Sequence, residues 1–180
     1  MSDPIADYER AADGFAAELA RSEGQLDAPS PCEGWKAQDV VDHVVGGTMM
    51  FARTLGADFP ESEAGADLTA RFTAARQALV DAARQPGALD KMVPGPLGGD
   101  LPAGVLFGII ATDTLIHTWD LARALGHEVE LDAELLQRSW DGVKPMESMV
   151  RQPGVFGPAV EVAGDAPFQT RALAFFGRQA

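Results

Sequence analysis

The chain has 180 residues, 46% of them hydrophobic and 23% charged, a balance that suits one folded domain across 1–180 and excludes wholesale disorder. Asp and Glu number 27 against 14 Lys and Arg, and the net charge of −13 disfavours nucleic acid and anionic membrane surfaces as partners. Cys32 is the sole cysteine, which excludes an internal disulfide and points to a reducing compartment, the cytoplasm.

The N-terminus, MSDPIADYERAADGF, is acidic and has no apolar leader segment. A first helix is expected from Ile5 to Ser22, where Ile5, Tyr8, Ala12, Phe15 and Leu19 recur at helical spacing. Pro, Gly and Ser make Gly24 to Gly34 a loop. A second helix is expected from Lys36 to Leu55, with Val40, Val41, Val44, Val45, Thr48, Phe51, Ala52 and Leu55 as its apolar stripe and Gly56 as its stop. Residues Glu61 to Asp67 read as a solvated acidic loop. A third helix is expected from Leu68 to Arg84, and Lys91 to Asp100, with two Pro and three Gly, as a connection. The fourth helix is expected from Leu101 to Leu125, with Pro102 in its first turn and Gly126 ending it. A fifth is expected from Asp132 to Val143, then an extended stretch from Gly154 to Gly164 and a closing helix from Phe168 to Phe176. No strand–helix alternation or repeat appears. The longest apolar run, Val105 to Ile110, is too short to span a bilayer. An all-α bundle is the expected fold.

Polar residues interrupt the fourth helix. At about 100° per residue, Val105, Leu106, Ile109, Ile110 and Ile116 share a face, and Asp113, His117 and Asp120 fall on that same face. An unpaired carboxylate buried there costs several kcal/mol, so something must neutralise it. A metal ion can, because an Asp and a His at i and i+4 aim an oxygen and a nitrogen at one point. The plain alternative is an Asp that accepts a hydrogen bond from the imidazole.

Of the two other histidines, His127 follows the helix stop and is expected at the surface. His43 lies in the second helix beside Gly46 and Gly47, which leave space for close helix approach or a ligand. His43, Asp113 and His117 are therefore the expected metal ligands, a set of three that leaves a position open for water or substrate. Asp120 either orients His117 or pairs with an arginine. Trp35, Trp119 and Trp140 read as core, and Cys32 as a loop or buried thiol without a role.

Three segments resemble a known family. Pro31-Cys32-Glu33-Gly34-Trp35 followed by Asp39-Val40-Val41-Asp42-His43-Val44-Val45-Gly46 is similar to a P-C-x-G-W…D-V-V-x-H-x-x-G pattern. Asp113 to Ala122 resembles [D/E]-x-x-x-H-x-W-D-L-A, and Pro153 to Val160 resembles P-G-x-F-G-P-x-V. The patterns are those of a branch of the DinB/YfiT-like superfamily related to the N-terminal metal-binding domain of mycothiol-dependent maleylpyruvate isomerase. The resemblance implies an up-down-down-up four-helix bundle with a short C-terminal helical or extended addition. By position it implies a metal on His43, Asp113 and His117.

Two departures limit what transfers. Lys36 stands where the family often has Thr or Ser, and Asp113 where the isomerase has Glu. The isomerase's second domain is also missing from the sequence, so the isomerase reaction itself is not expected.

The expected chemistry is transfer by a metal-dependent enzyme that takes a low-molecular-weight thiol, such as mycothiol, and an electrophilic small molecule. Alternatives are metal-assisted hydrolysis and metal binding without catalysis. The N/O ligand set suits Zn2+, with Ni2+, Mn2+ and Fe2+ also accommodated. Monomer and homodimer are equally compatible with the sequence.

Overall fold

A computed structural model describes residues 3–58, 67–151 and 155–180. Residues 61–66 of the acidic loop, and Pro153 and Gly154 of the third motif, lie outside the described residues. Four long helices carry the fold: α1 (Pro4–Leu19), α2 (Ala37–Thr54), α3 (Leu68–Ala83) and α4 (Ala103–Ala124). The first three starts have a local cause. Asp3 accepts from the Ile5 N–H at 2.9 Å, with Pro4 in the first turn of α1. Asp67 accepts from Thr69 at 3.2 Å. In α2 the missing hydroxyl cap is offset from inside the helix, where the Asp39 carboxylate accepts the Lys36 N–H at 2.8 Å. Gly56 and Gly126, at φ +93° and +82°, turn the chain out of α2 and α4.

The directions follow from which residues meet. Tyr8 lies against Phe107, and Glu18 reaches His127, so α1 and α4 run parallel. Phe51 meets Phe107 while His43 meets Asp113, so α2 runs opposite to α4. Phe15 meets Phe72 and Glu9 meets Arg84, so α3 runs opposite to α1. The order is up-down-down-up. The core between the helices holds Tyr8, Phe15, Phe51, Phe72 and Phe107, all 1% exposed or less. Each such aromatic contributes about 1.5–3 kcal/mol through burial.

A hairpin stands where only a connection was expected. β1 (Met92–Pro94) pairs antiparallel with β2 (Asp100–Pro102), Val93 opposite Leu101. Leu101 and Pro102 therefore belong to a strand, and α4 begins two residues later than expected. The expected apolar face of α4 is also displaced. Val105 is 54% exposed, and the buried line runs instead through Phe107, Ala111, Thr114, Leu115 and Thr118. By length and hydropathy α4 is long enough to cross a membrane, which no single apolar run suggested. Yet 67% of its most apolar window is buried inside the protein, as befits a central helix.

The C-terminal part packs on this bundle. α5 (Ala133–Val143) is capped by Asp132, which accepts from Leu135 at 3.0 Å. α6 (Glu147–Val150) and α7 (Phe168–Phe175) follow. Trp140 on α5 lies 4.9 Å from the Phe175 ring, and the Val160 N–H donates to the Ala174 carbonyl at 2.9 Å. Residues 155–164 are neither helix nor strand, in line with the extended stretch read from the sequence.

Candidate metal centre

The antiparallel crossing of α2 and α4 brings together His43, Asp113 and His117. His43 Nε2 lies 3.3 Å from Asp113 Oδ2, and His117 Nε2 lies 3.5 Å from Asp113 Oδ1. One donor atom from each residue falls within 4.8 Å of the other two. The side chains differ in exposure. His117 is 8% exposed, whereas His43 and Asp113 are 43% and 41% exposed. The cluster therefore has a buried rear and an open front. Asp113 is less buried than its place on the helical wheel suggested, although Ile116, His117 and Asp120 on the same face are buried.

The deeply buried carboxylate is Asp120, with no exposed surface. Its Oδ2 lies 2.9 Å from His117 Nδ1, and the nitrogen's direction departs from a straight hydrogen bond. Arg178 donates to both oxygens, from Nε to Oδ1 at 3.1 Å and from Nη2 to Oδ2 at 2.6 Å. Of the two roles expected for Asp120, the pairing with an arginine is seen in its bonds to Arg178, and His117 Nδ1 lies beside it. The Cys32 thiol donates to the same Oδ2 at 3.3 Å, and Arg178 Nη2 lies 3.6 Å from the sulfur. Cys32, His117 and Asp120 form a second group of closely spaced donors behind the first.

Charge and burial set the protonation states of the metal-free protein. Desolvation works to raise the Asp113 carboxyl, but the charge and hydrogen bonds of His117, and those of His43, outweigh it and hold the carboxyl well below the usual carboxylate range. Desolvation works to lower His117. Asp113, Asp120 and Cys32 oppose it and push the imidazole well above its ordinary 6.5. Asp120 is depressed because His117 and Arg178 overcome its own burial.

Other placements differ from the sequence reading. His127 is only partly at the surface, 32% exposed, and lies 2.5 Å from the buried Glu18 carboxylate. Gly46 and Gly47 face open space rather than a close helix approach, with no described atom beyond their own turns of helix within 4 Å of where a Cβ would sit. Trp119 is core at 2% exposure, but Trp35 is half-buried and lies against both imidazoles. Trp35, Cys32 and Arg178 were missed as parts of the site. For Arg178 the available signal was Asp120 itself, a carboxylate on an apolar face that needs a cation.

The fold is that of a DinB-like helical protein. Among solved structures, a DinB-like protein from Bacillus subtilis superposes with TM-score 0.54 at 15% identity, covering 73% of this chain and 96% of that one. A mutant of the mycothiol-dependent maleylpyruvate isomerase superposes with TM-score 0.60 at 15% identity, covering 76% of this chain. The chain spans 65% of that isomerase's length. At such identity the likeness is one of fold. The chain belongs to the mycothiol maleylpyruvate isomerase N-terminal domain family, whose model matches residues 6–122. Two uncharacterized proteins of Mycobacterium tuberculosis, from strains CDC 1551 and H37Rv, are each 37% identical over 134 residues, 74% of this chain and 73% of theirs. The family match contains His43, Asp113, His117 and Asp120 but not Arg178.

Proposed function

We propose that the chain binds one divalent metal ion through His43, Asp113 and His117 and uses it in the transfer of a low-molecular-weight thiol to an electrophile. The observation that carries this reading is the spacing of the donors. A tetrahedral zinc with bonds of about 2.0–2.1 Å sets its ligand atoms about 3.3 Å apart, and Asp113 Oδ1 lies 3.4 Å from His43 Nε2 and 3.5 Å from His117 Nε2. Two nitrogens and one oxygen suit zinc, and they also accept Ni2+, Mn2+ or Fe2+. A bound dication would supply Lewis acidity that lowers the pKa of a thiol reaching its open position.

The chain's own residues supply the rest. Asp120 and Arg178 fix His117 from behind. The exposed flanks of His43 and Asp113 leave solvent access on the opposite side. The acidic surface disfavours an anionic electrophile and admits a neutral one. Mycothiol is the thiol we assign, because the family's isomerase depends on it. We place the protein in the cytoplasm, where such thiols are reduced.

The test is turnover by the purified protein with zinc, a thiol and a chlorodinitrobenzene-type electrophile. Thiol-dependent conjugation that disappears on chelation and in His117→Ala is the expected result. Thiol-independent ester cleavage would replace transferase with hydrolase, and tight metal binding without turnover would leave a metal-binding protein only. Equal metal content in His117→Ala and the unmodified protein would overturn the site.

A further inference from the structure

Trp35, His43 and His117 form a triangle of rings. The indole is nearly parallel to His117, at 13° and 5.9 Å between centroids, and tilted on His43 at 5.2 Å. The two imidazoles are 4.7 Å apart. The segment that presents the indole is pinned on both sides. Pro29 and Lys36 form an antiparallel bridge, the Ser30 N–H donates to the Trp35 carbonyl at 2.9 Å, and the Trp35 N–H donates to the Cys32 carbonyl at 3.0 Å. Gly34, at φ +77°, makes the turn that allows this.

We propose that Trp35 is a positioning residue for the two imidazoles, holding His43 above all in the orientation that a metal requires before the metal arrives. The inference rests on the metal reading above and adds to it the source of the site's preorganisation. The two histidines need unequal help. His117 is nearly enclosed and lies against Asp120 at its rear nitrogen. His43 is 43% exposed, and its described contacts are Asp113, His117 and Trp35. A half-exposed side chain that must be frozen on binding weakens affinity by about two- to tenfold. An indole held rigidly against the ring removes most of that loss. Aromatic contacts of this kind add attraction beyond simple area, in offset-stacked and tilted geometries alike.

The test is cobalt binding by the full chain, measured by competition with a chromogenic chelator, with far-UV circular dichroism reporting the fold. Trp35→Leu keeps apolar volume without a π face and is expected to bind about tenfold more weakly, with an altered visible cobalt spectrum. Trp35→Phe keeps a stacking ring and is expected to stay within about threefold of the unmodified protein. In a His43→Ala background, removing the indole should cost much less than it does alone, since its main client is gone. Unmutated protein supplies an independent reading. The sequence holds three histidines, and the proton resonances of the His43 and His117 rings should carry the indole's ring-current shift while those of His127 do not. Wild-type affinity in Trp35→Leu, a Trp35→Phe variant as weak as the leucine variant, or absence of the ring-current shift would each overturn the proposal. Failure of the unmodified protein to bind cobalt at all would instead sink the metal reading on which it stands.

Discussion

His117 has one nitrogen toward Asp113 and the other toward Asp120, so the positive charge of its protonated ring faces two carboxylates. In the metal-free protein its pKa is raised, and the sign of the consequence is fixed. The stability this charge adds is fully present below the ordinary histidine value of about 6.5 and is lost as pH rises through the higher folded value. A metal at Nε2 must expel that proton or take the ring in its neutral tautomer. Zinc uptake at pH 7 should therefore release close to one proton, and affinity should fall as pH is lowered, by about tenfold per unit for this one group. Calorimetry in two buffers of different ionisation enthalpy measures the release; a value near zero at pH 7 would contradict the assignment of His117 as a ligand. Asp120 behaves oppositely. Its depressed pKa adds stability that is present above about 3.9 and lost as pH falls through the lower folded value. Asp120→Asn should flatten this acid limb in urea titrations.

At the scale of the helix, α2 contains a weakness with no packing reason. Gly46 and Gly47 lie inside it without a positive φ, and among the described residues beyond their own turns of helix no atom comes within 4 Å of either missing Cβ. Ala at each position should stabilise the protein by about 0.5–1 kcal/mol, read as a rise in the urea midpoint. If Gly47→Ala gains stability but loses metal or thiol affinity, the empty space serves a ligand; if both are kept, the glycine is incidental.

The same helices show what a sequence can and cannot disclose. The meeting of His43 with Asp113 and His117 was legible, because helical period put the latter two on one line and the chain has only three histidines. Apolar period likewise placed α1, α2, α3 and α5 to within a few residues. The β1–β2 hairpin was not legible. Its strands are three residues long, each ends in proline, and the Gly- and Pro-rich segment between them signals only a turn. Wheel geometry also misjudged α4. It counts residue types around an axis and is blind to which neighbours pack against each turn, so it treated exposed Val105 and half-exposed Asp113 as core.

For the molecule as a whole, the decisive contact joins Arg178, beyond α7, to Asp120 in the last turns of the central helix. Arg178 lies 58 positions from Asp120, and no local pattern links them. The tail reaches it through the packing of α7. Val160 pairs with Ala174, and Arg151 binds the Gly157 and Phe175 carbonyls at 2.8 and 2.6 Å. The Arg178 N–H then donates to the Leu173 carbonyl at 2.9 Å, which aims the side chain inward. Arg178 carries a cation that neutralises a fully buried carboxylate. Removal of one partner of such a pair costs about 3–5 kcal/mol, because the other is left charged without compensation. Deleting residues 177–180 should therefore destabilise the protein about as much as Arg178→Ala does, and Asp120→Asn should recover part of that loss in either background. Chemical denaturation of the three single variants and the two combinations checks this. An additive result, with Asp120→Asn costing the same whether or not Arg178 is present, would mean that the two residues are not coupled and that the tail closes the bundle through α7 alone.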